Sequence, residues 1–198
     1  MKRRTLDIVF SVGGLVVAAL ILVLGLVLQN QADFAKSYVK DQLTAQQITF
    51  TPADKLTDEE KANNCLVVYA GEQLVTGKQA ECYANDYIAL HLSEINDGKT
   101  YSQTSNESRA VAAEAKADPA NADLQAQAKT IDGKVQTLFR GETLRGLLLT
   151  SYGFSIFGER AAQAALVCFL VAGVLFIASI AGFIHAFATS KDEKVLTA

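Results

Sequence analysis

The residues of this chain best suited to chemistry are three cysteines, Cys65, Cys82 and Cys168, and two histidines, His91 and His185. Cys65 and Cys82 stand seventeen residues apart. In an oxidising compartment they can form a disulfide, worth ~3 kcal/mol through restriction of the unfolded chain. The alternative is a pair of free buried thiols. Zinc fits poorly, because the spacing is not C-x-x-C and His91 is the one histidine outside the apolar stretches. Cys168 lies within an apolar run and reads as a small packing residue.

Nucleophilic catalysis of the Ser/His/Asp or Cys/His kind needs a histidine within hydrogen-bond reach of its nucleophile. His91 is set in Ile88-Ala89-Leu90-His91-Leu92, where a partly buried, satisfied imidazole is the default. His185 falls near the end of an apolar run, an interfacial residue rather than a proton relay. The carboxylate pairs Glu81/Asp86 and Glu94/Asp97 read as solvated helix faces. No phosphate-cradling glycine loop, G-x-S-x-G, H-E-x-x-H or haem-attachment pattern is present. A single methionine leaves no Met-rich copper site. The expectation is a protein that is not an enzyme, with no catalytic residue, metal or cofactor.

The elements that must position these residues begin with two uncharged apolar spans, Ile8 to Leu28 and about Ala161 to Ala188. About 20 apolar residues rising ~1.5 Å each cover a ~30 Å hydrocarbon core, so both spans are long enough to cross a bilayer. A cleaved signal peptide would have a shorter apolar region, about 7–15 residues, and a small-x-small site. The first run is longer and ends in Leu28-Gln29-Asn30, so it reads as a retained helix. Lys2, Arg3 and Arg4 precede it, which holds the N-terminus in the cytoplasm, and a second crossing returns the C-terminus there.

This gives an all-α membrane protein with two transmembrane helices flanking a mostly helical extracytoplasmic domain. The expected divisions are a cytoplasmic N-terminus at 1–7, spans at 8–28 and 161–188, and a cytoplasmic tail at 189–198. Between the spans lie an extracytoplasmic helical domain at 29–139 and a membrane-proximal amphipathic segment at 140–160. From Gln29 to Arg160 the chain carries 13 basic and 18 acidic residues, a net of −5. That acidity argues against nucleic acid or an anionic lipid surface as partner. The bilayer itself, other membrane proteins or a second copy are the expected partners.

Within the outer segment, Phe34/Tyr38 and Ala35/Val39/Leu43 predict that the first helix continues to about Ala45. Ile48-Thr49-Phe50 reads as extended and Thr51-Pro52-Ala53-Asp54 as a turn. Thr57 and Glu60 have capping-box spacing, which predicts a helix to about Ala70, stopped by Gly71. Thr76 caps the next helix, with Ala80, Ala84, Tyr87, His91 and Ile95 in one stripe and Gly98 as the stop.

After a polar stretch from Lys99 to Glu107 comes an Ala-rich helical hairpin, with Asp118 read as N-cap and Pro119 at the first helical position. Its second arm carries Leu124, Ala128, Ile131, Val135 and Leu138, a coiled-coil stripe two heptads long. That arm must pack on something. Either the stripe is core, or Leu124, Ile131, Val135 and Leu138 form a docking surface for another protein.

Arg140 to Leu149 suits a short helix lying at the bilayer surface, with Arg140 and Arg145 beside its leucines. Tyr152, Phe154 and Phe157 then fall at interfacial depth. A plain linker setting the tilt of the second span and a lipid or partner contact both fit that spacing. Inside the spans, Gly14/Ala18, Ala161/Ala165 and Ala178/Gly182/Ala186 make small-xxx-small pairs through which helices can approach closely.

Three stretches, LDIVFSVGGLVVAALILVLGLVLQNQADFAKSYVKDQL, TGKQAECYANDYIALHL and FRGETLRGLLLTSYGFSIFGERA, together resemble a family of uncharacterised actinobacterial two-pass membrane proteins. The likeness covers most of the chain and implies a two-pass topology in the cell envelope, without an activity. Some members carry the label aromatic ring-opening dioxygenase. The sequence does not support that label here. A non-haem iron site of that kind needs two histidines and a carboxylate, and His91 and His185 would lie on opposite sides of the membrane.

The functional expectation is an accessory or assembly subunit acting through its extracytoplasmic helical domain and its spans. Two other classes fit the same topology: a ligand-sensing protein that signals through a partner, and a channel or transporter component. A pore would show polar lining positions, and the spans offer little beyond Ser11, Gln163 and Ser179.

Overall fold

No residue between Ile8 and Leu28 breaks a helix, and the helix there continues well beyond both ends of that stretch. In the computed structural model, which describes residues 2–190 and Glu193, α1 spans Arg3–Ala45. Among the described residues six short helical pieces and one medium helix follow: α2 (Asp58–Lys61), α3 (Asn64–Val68), α4 (Gly77–Cys82), a π-helical turn (Tyr83–Ile88), α5 (Ala89–Ser93), a 3-10 turn (Ile95–Gly98) and α6 (Tyr101–Ala117). The last helix, α7, runs from Ala122 to Ala188. Among the described residues there is no β-strand, only an isolated antiparallel bridge between Thr49 and Gln73. Most of the tail expected at 189–198 lies outside the described residues.

The chain forms two compact units, Met1–Lys36 with Phe157–Ala198, and Ser37–Ile156. In the first, α1 and α7 run antiparallel along a seam of small side chains. Ser11, Ala18 and Ala32 of α1 are buried, as are Ala165, Ala172, Ser179 and Ala186 of α7. Gly25 fills the remaining place, so each helix repeats a small residue every seventh position, the period of a coiled-coil seam. A Cβ on Gly14 would run into the Ser179 hydroxyl, and one on Gly182 into that of Ser11. One on Gly25 would meet the Phe169 ring.

Gly14, Ala18 and Gly182 therefore sit in the seam as their small side chains suggested. Ala178 does not: it is exposed, and its neighbour Ser179 makes the contact. The physical reason is that the seam follows a period of seven, whereas Ala178/Gly182 follows a spacing of four. Away from the seam the large residues are bare, with Phe10, Leu20, Val174, Ile177, Ile184 and Phe187 each 66–74% exposed. Both helices are long and apolar enough to cross a membrane, and only 17% of each apolar window is buried. Where α1 begins, Asp7 Oδ2 meets His185 Nδ1 at 2.9 Å and Arg4 lies 5.5 Å over the Phe187 ring.

The second unit is built around Val39, Leu43, Phe50, Leu66, Leu74 and Leu148, with Ala80, Ala84 and Ile88. Phe50 N–H donates to the Glu72 carbonyl at 2.9 Å and Leu74 N–H to that of Ile48 at 2.8 Å, so the expected extended piece is paired. Thr57 forms the capping box its spacing predicted, Thr76 caps as expected and adds a box with Gln79, and Gly71 and Gly98 take left-handed φ of +76° and +73°.

Four local expectations need correction. The helix expected from Thr57 to Ala70 breaks at Asn63, whose amide donates to the Glu59 carbonyl at 3.1 Å while its own backbone is extended. The helix after Thr76 widens into a π-turn at Tyr83, immediately past Cys82. The hairpin's first arm starts at Tyr101, because Thr100 and Gln103 form a capping box inside the stretch read as polar linker. Asp118 ends α6 instead of starting α7, and Asn121 Oδ1 accepts the Leu124 N–H at 3.2 Å in its place.

The segment 140–160 is not a separate surface helix. It is the interior of α7, which has no break between its hairpin arm and its apolar span. No proline interrupts that stretch, and α7 passes through its four glycines without a break.

Candidate functional site

Cys65 and Cys82 are joined, with Sγ–Sγ 2.04 Å and Cα–Cα 6.0 Å. The capped start of α4 points Cys82 into the core, and the one-turn α3 brings Cys65 to it. Asp86, on the π-turn, places Oδ2 3.0 Å from Cys65 Sγ. The three donor atoms of Cys65, Cys82 and Asp86 lie within 4.8 Å of one another. Both sulfurs are tied up in the disulfide, so neither offers a thiolate, and the group as it stands is not a metal centre.

Beside the disulfide runs a ladder of rings. Phe50 meets Tyr83 edge-on at 5.2 Å, Tyr83 meets Tyr87 at 4.6 Å, and Tyr87 meets His91 at 4.4 Å. Burial, with Tyr87 and Glu60 nearby, pushes the Tyr83 phenol up to about 12. His91 Nδ1 lies 2.8 Å from the Tyr87 carbonyl and its Nε2 faces buried Glu60 Oε1 at 3.7 Å. Glu60 Oε2 meanwhile accepts the Thr57 N–H at 2.8 Å as part of the capping box. Both ring nitrogens thus face oxygens that hold α2 and the helix run 83–93 together.

A second feature of this unit is a cleft of about 390 Å³ between α1 and α7. One wall carries Tyr38, Val39, Gln42, Leu43 and Gln46, with Ile48 at its end; the other carries Leu144, Leu147, Leu148, Thr150, Ser151 and Phe154. No lining side chain bears a formal charge. Leu43 and Leu148 form its buried floor, while Leu147 is 62% exposed. Tyr38 and Phe154 meet edge-on at 5.8 Å. Sequence reasoning did not assemble this cleft, although Tyr38 and Gln42 lie four apart on one face of α1 and Gln46 follows at the same spacing just past its end.

The residues expected to mark an outer docking surface are placed differently. Ile131, Val135 and Leu138 are 7%, 8% and 2% exposed, so the chain's own packing covers that stripe and Leu124 is half-buried beyond it. The hairpin arm is scaffold.

Of the expected membrane-interface residues, Arg145 pairs with Glu142 at 3.3 Å and donates to Asn85 at 3.2 Å, and Arg140 is exposed. Tyr152 accepts a hydrogen bond from Lys78 Nζ at 3.4 Å, and that ammonium lies 5.1 Å over its ring. Glu81 and Tyr152 hold the Lys78 ammonium above its ordinary range. Phe154 lines the cleft, whereas Phe157 belongs to the other unit and is 75% exposed. Arg145 and Tyr152 are thereby contacts inside the helical unit.

Comparison with protein families, with curated proteins and with solved structures finds no match to this chain.

Proposed function

We propose that this chain is a non-enzymatic integral membrane protein of the cell envelope, an accessory or assembly subunit with both termini in the cytoplasm and its helical domain outside. The observation that carries this reading is the shape of the first unit. Its two helices use a narrow seam of small residues against each other and leave their large apolar residues bare, as a pair immersed in lipid would. Between them opens a groove of about 500 Å³, floored by Ala18, Ala19, Ala172 and Gly173 and flanked by Leu15, Leu22, Phe169 and Phe176. Small residues between bulky ridges suit the close approach of a third helix.

The disulfide favours an oxidising compartment for the helical unit, in line with three basic residues preceding the first span. His91 supports a structural role, since its nitrogens bridge α2 and the turn before α5. The two-pass envelope family that the sequence resembles has the same plan.

Photo-crosslinking in cells tests the reading. A crosslinker at Ala19 or Gly173 is expected to give a discrete adduct with another membrane protein or a second copy, and one at Phe10 is not. Equal adducts at all three positions, with a monomer returned alone from mild detergent, would refute it. Thiol labelling of a cysteine introduced in the helical unit of intact cells tests the topology.

A further inference from the structure

We propose that the cleft between α1 and α7 binds the tail of an uncharged amphiphile: a lipid-soluble molecule with a long hydrocarbon or prenyl chain and a neutral, hydrogen-bonding head. The argument starts from charge. No lining side chain carries a formal charge, so a carboxylate or phosphate head would find no cation here to offset the water it gives up. A neutral head needs no such partner. Its volume of about 390 Å³ falls within the ~300–1,000 Å³ typical of small-molecule sites.

The polar groups of the lining have defined roles. The Thr150 and Ser151 hydroxyls donate to the Gly146 and Leu147 carbonyls at 2.9 and 3.2 Å, so toward a ligand their oxygens act as acceptors. Gln42 and Gln46 present exposed amides, which both donate and accept. A hydroxyl, ester or ketone head is matched by that set. The tail has an apolar path, since Leu147 stands 62% exposed above a buried Leu148 and would be covered by a bound chain. This ligand class rests on the membrane reading proposed above: a chain anchored by two apolar helices is surrounded by molecules dissolved in the bilayer.

The test uses the full chain in phosphatidylcholine nanodiscs with two photoactivatable probes. One is a monoacylglycerol with a diazirine in its tail; the other is the matching free fatty acid, identical in tail and charged in head. The neutral probe is expected to label peptides covering 38–48 and 144–154. Leu147→Glu, at an exposed position where folding tolerates the change, should cut that labelling by about tenfold by placing a charge in the apolar path. Leu147→Phe should retain it. Labelling of the spans serves as the internal reference, and circular dichroism confirms that both variants are folded. Labelling confined to the spans, equal labelling of the cleft by the charged probe, or undiminished labelling in Leu147→Glu would each overturn the proposal.

Discussion

Truncating Leu138 to alanine separates a scaffold hairpin from a docking hairpin. Leu138 is 2% exposed, so the change removes three carbons from a filled interior. At ~0.8 kcal/mol per buried methylene the transfer loss is roughly 2.4 kcal/mol. The cavity left behind raises this to about 3–4 kcal/mol, within the range of measured Leu→Ala changes. For a unit of this size that corresponds to a fall in Tm of roughly 12–16 °C. Leu147→Ala is the comparator: at 62% exposure it should stay within about 0.5 kcal/mol of the parent. The chain has six tyrosines and no tryptophan, and every tyrosine lies within Ser37–Ile156. Near-ultraviolet circular dichroism of the detergent-solubilised chain therefore reports on that unit without interference from the spans' helicity. Equal melting temperatures for Leu138→Ala and Leu147→Ala would refute the burial argument and return the stripe to the status of a docking surface.

Three further outcomes follow from other contacts. Gly14→Leu and Gly182→Leu should each force α1 and α7 apart, destabilising the pair by about 1–3 kcal/mol, whereas Gly13→Leu, where a Cβ meets nothing within 4 Å, should not; spin-label distances between the helices in nanodiscs read this, and an equal response at Gly13 would contradict the seam. Asp86→Asn should speed reduction of the Cys65–Cys82 bond by glutathione about fivefold, because one unit charge ~4 Å from an incoming thiolate is worth ~1 kcal/mol in water; cysteamine, whose ammonium offsets its thiolate, should gain less, and identical rates would show that Asp86 exerts no field on the sulfur. Lys99 and Asn96 hold the Glu107 carboxyl below its ordinary range, so its contribution is present at neutral pH and is lost as pH falls through the lowered value; Glu107→Gln should flatten that acid-side loss by a small amount, as suits an exposed group, and an unchanged pH profile would refute the assignment.

The parts of the fold legible in the sequence are those set by neighbours along the chain. The capping box at Thr57 and the cap at Thr76 act over three residues, and Gly71 and Gly98 are demanded by a single left-handed φ. The two apolar spans follow from composition alone, and the continuation of α1 to Ala45 from an i, i+4 pattern. Errors arose where two local signals competed. Asp118-Pro119 looked like a helix start, yet Asn121 lay three residues before Leu124 and its side chain took the cap. The Thr100/Gln103 box lies within a stretch whose polarity alone suggests a linker, and Asn63 breaks a helix by bonding back to Glu59.

By itself the sequence determined the helical class, the two apolar helices and a plausible cysteine pair. Only the tertiary structure decided which of two readings each of those features took. It joined Cys65 to Cys82, and it turned Ile131, Val135 and Leu138 inward. It set the α1–α7 seam on a period of seven, which left Ala178 outside. The cleft of Tyr38, Gln42, Leu147 and Phe154 exists because residues about a hundred positions apart face one another. The physical reason is range. Hydrogen bonds of caps and turns close within a few residues, so they are written locally. Burial depends on which distant surface arrives opposite a side chain, and no window of sequence contains both partners.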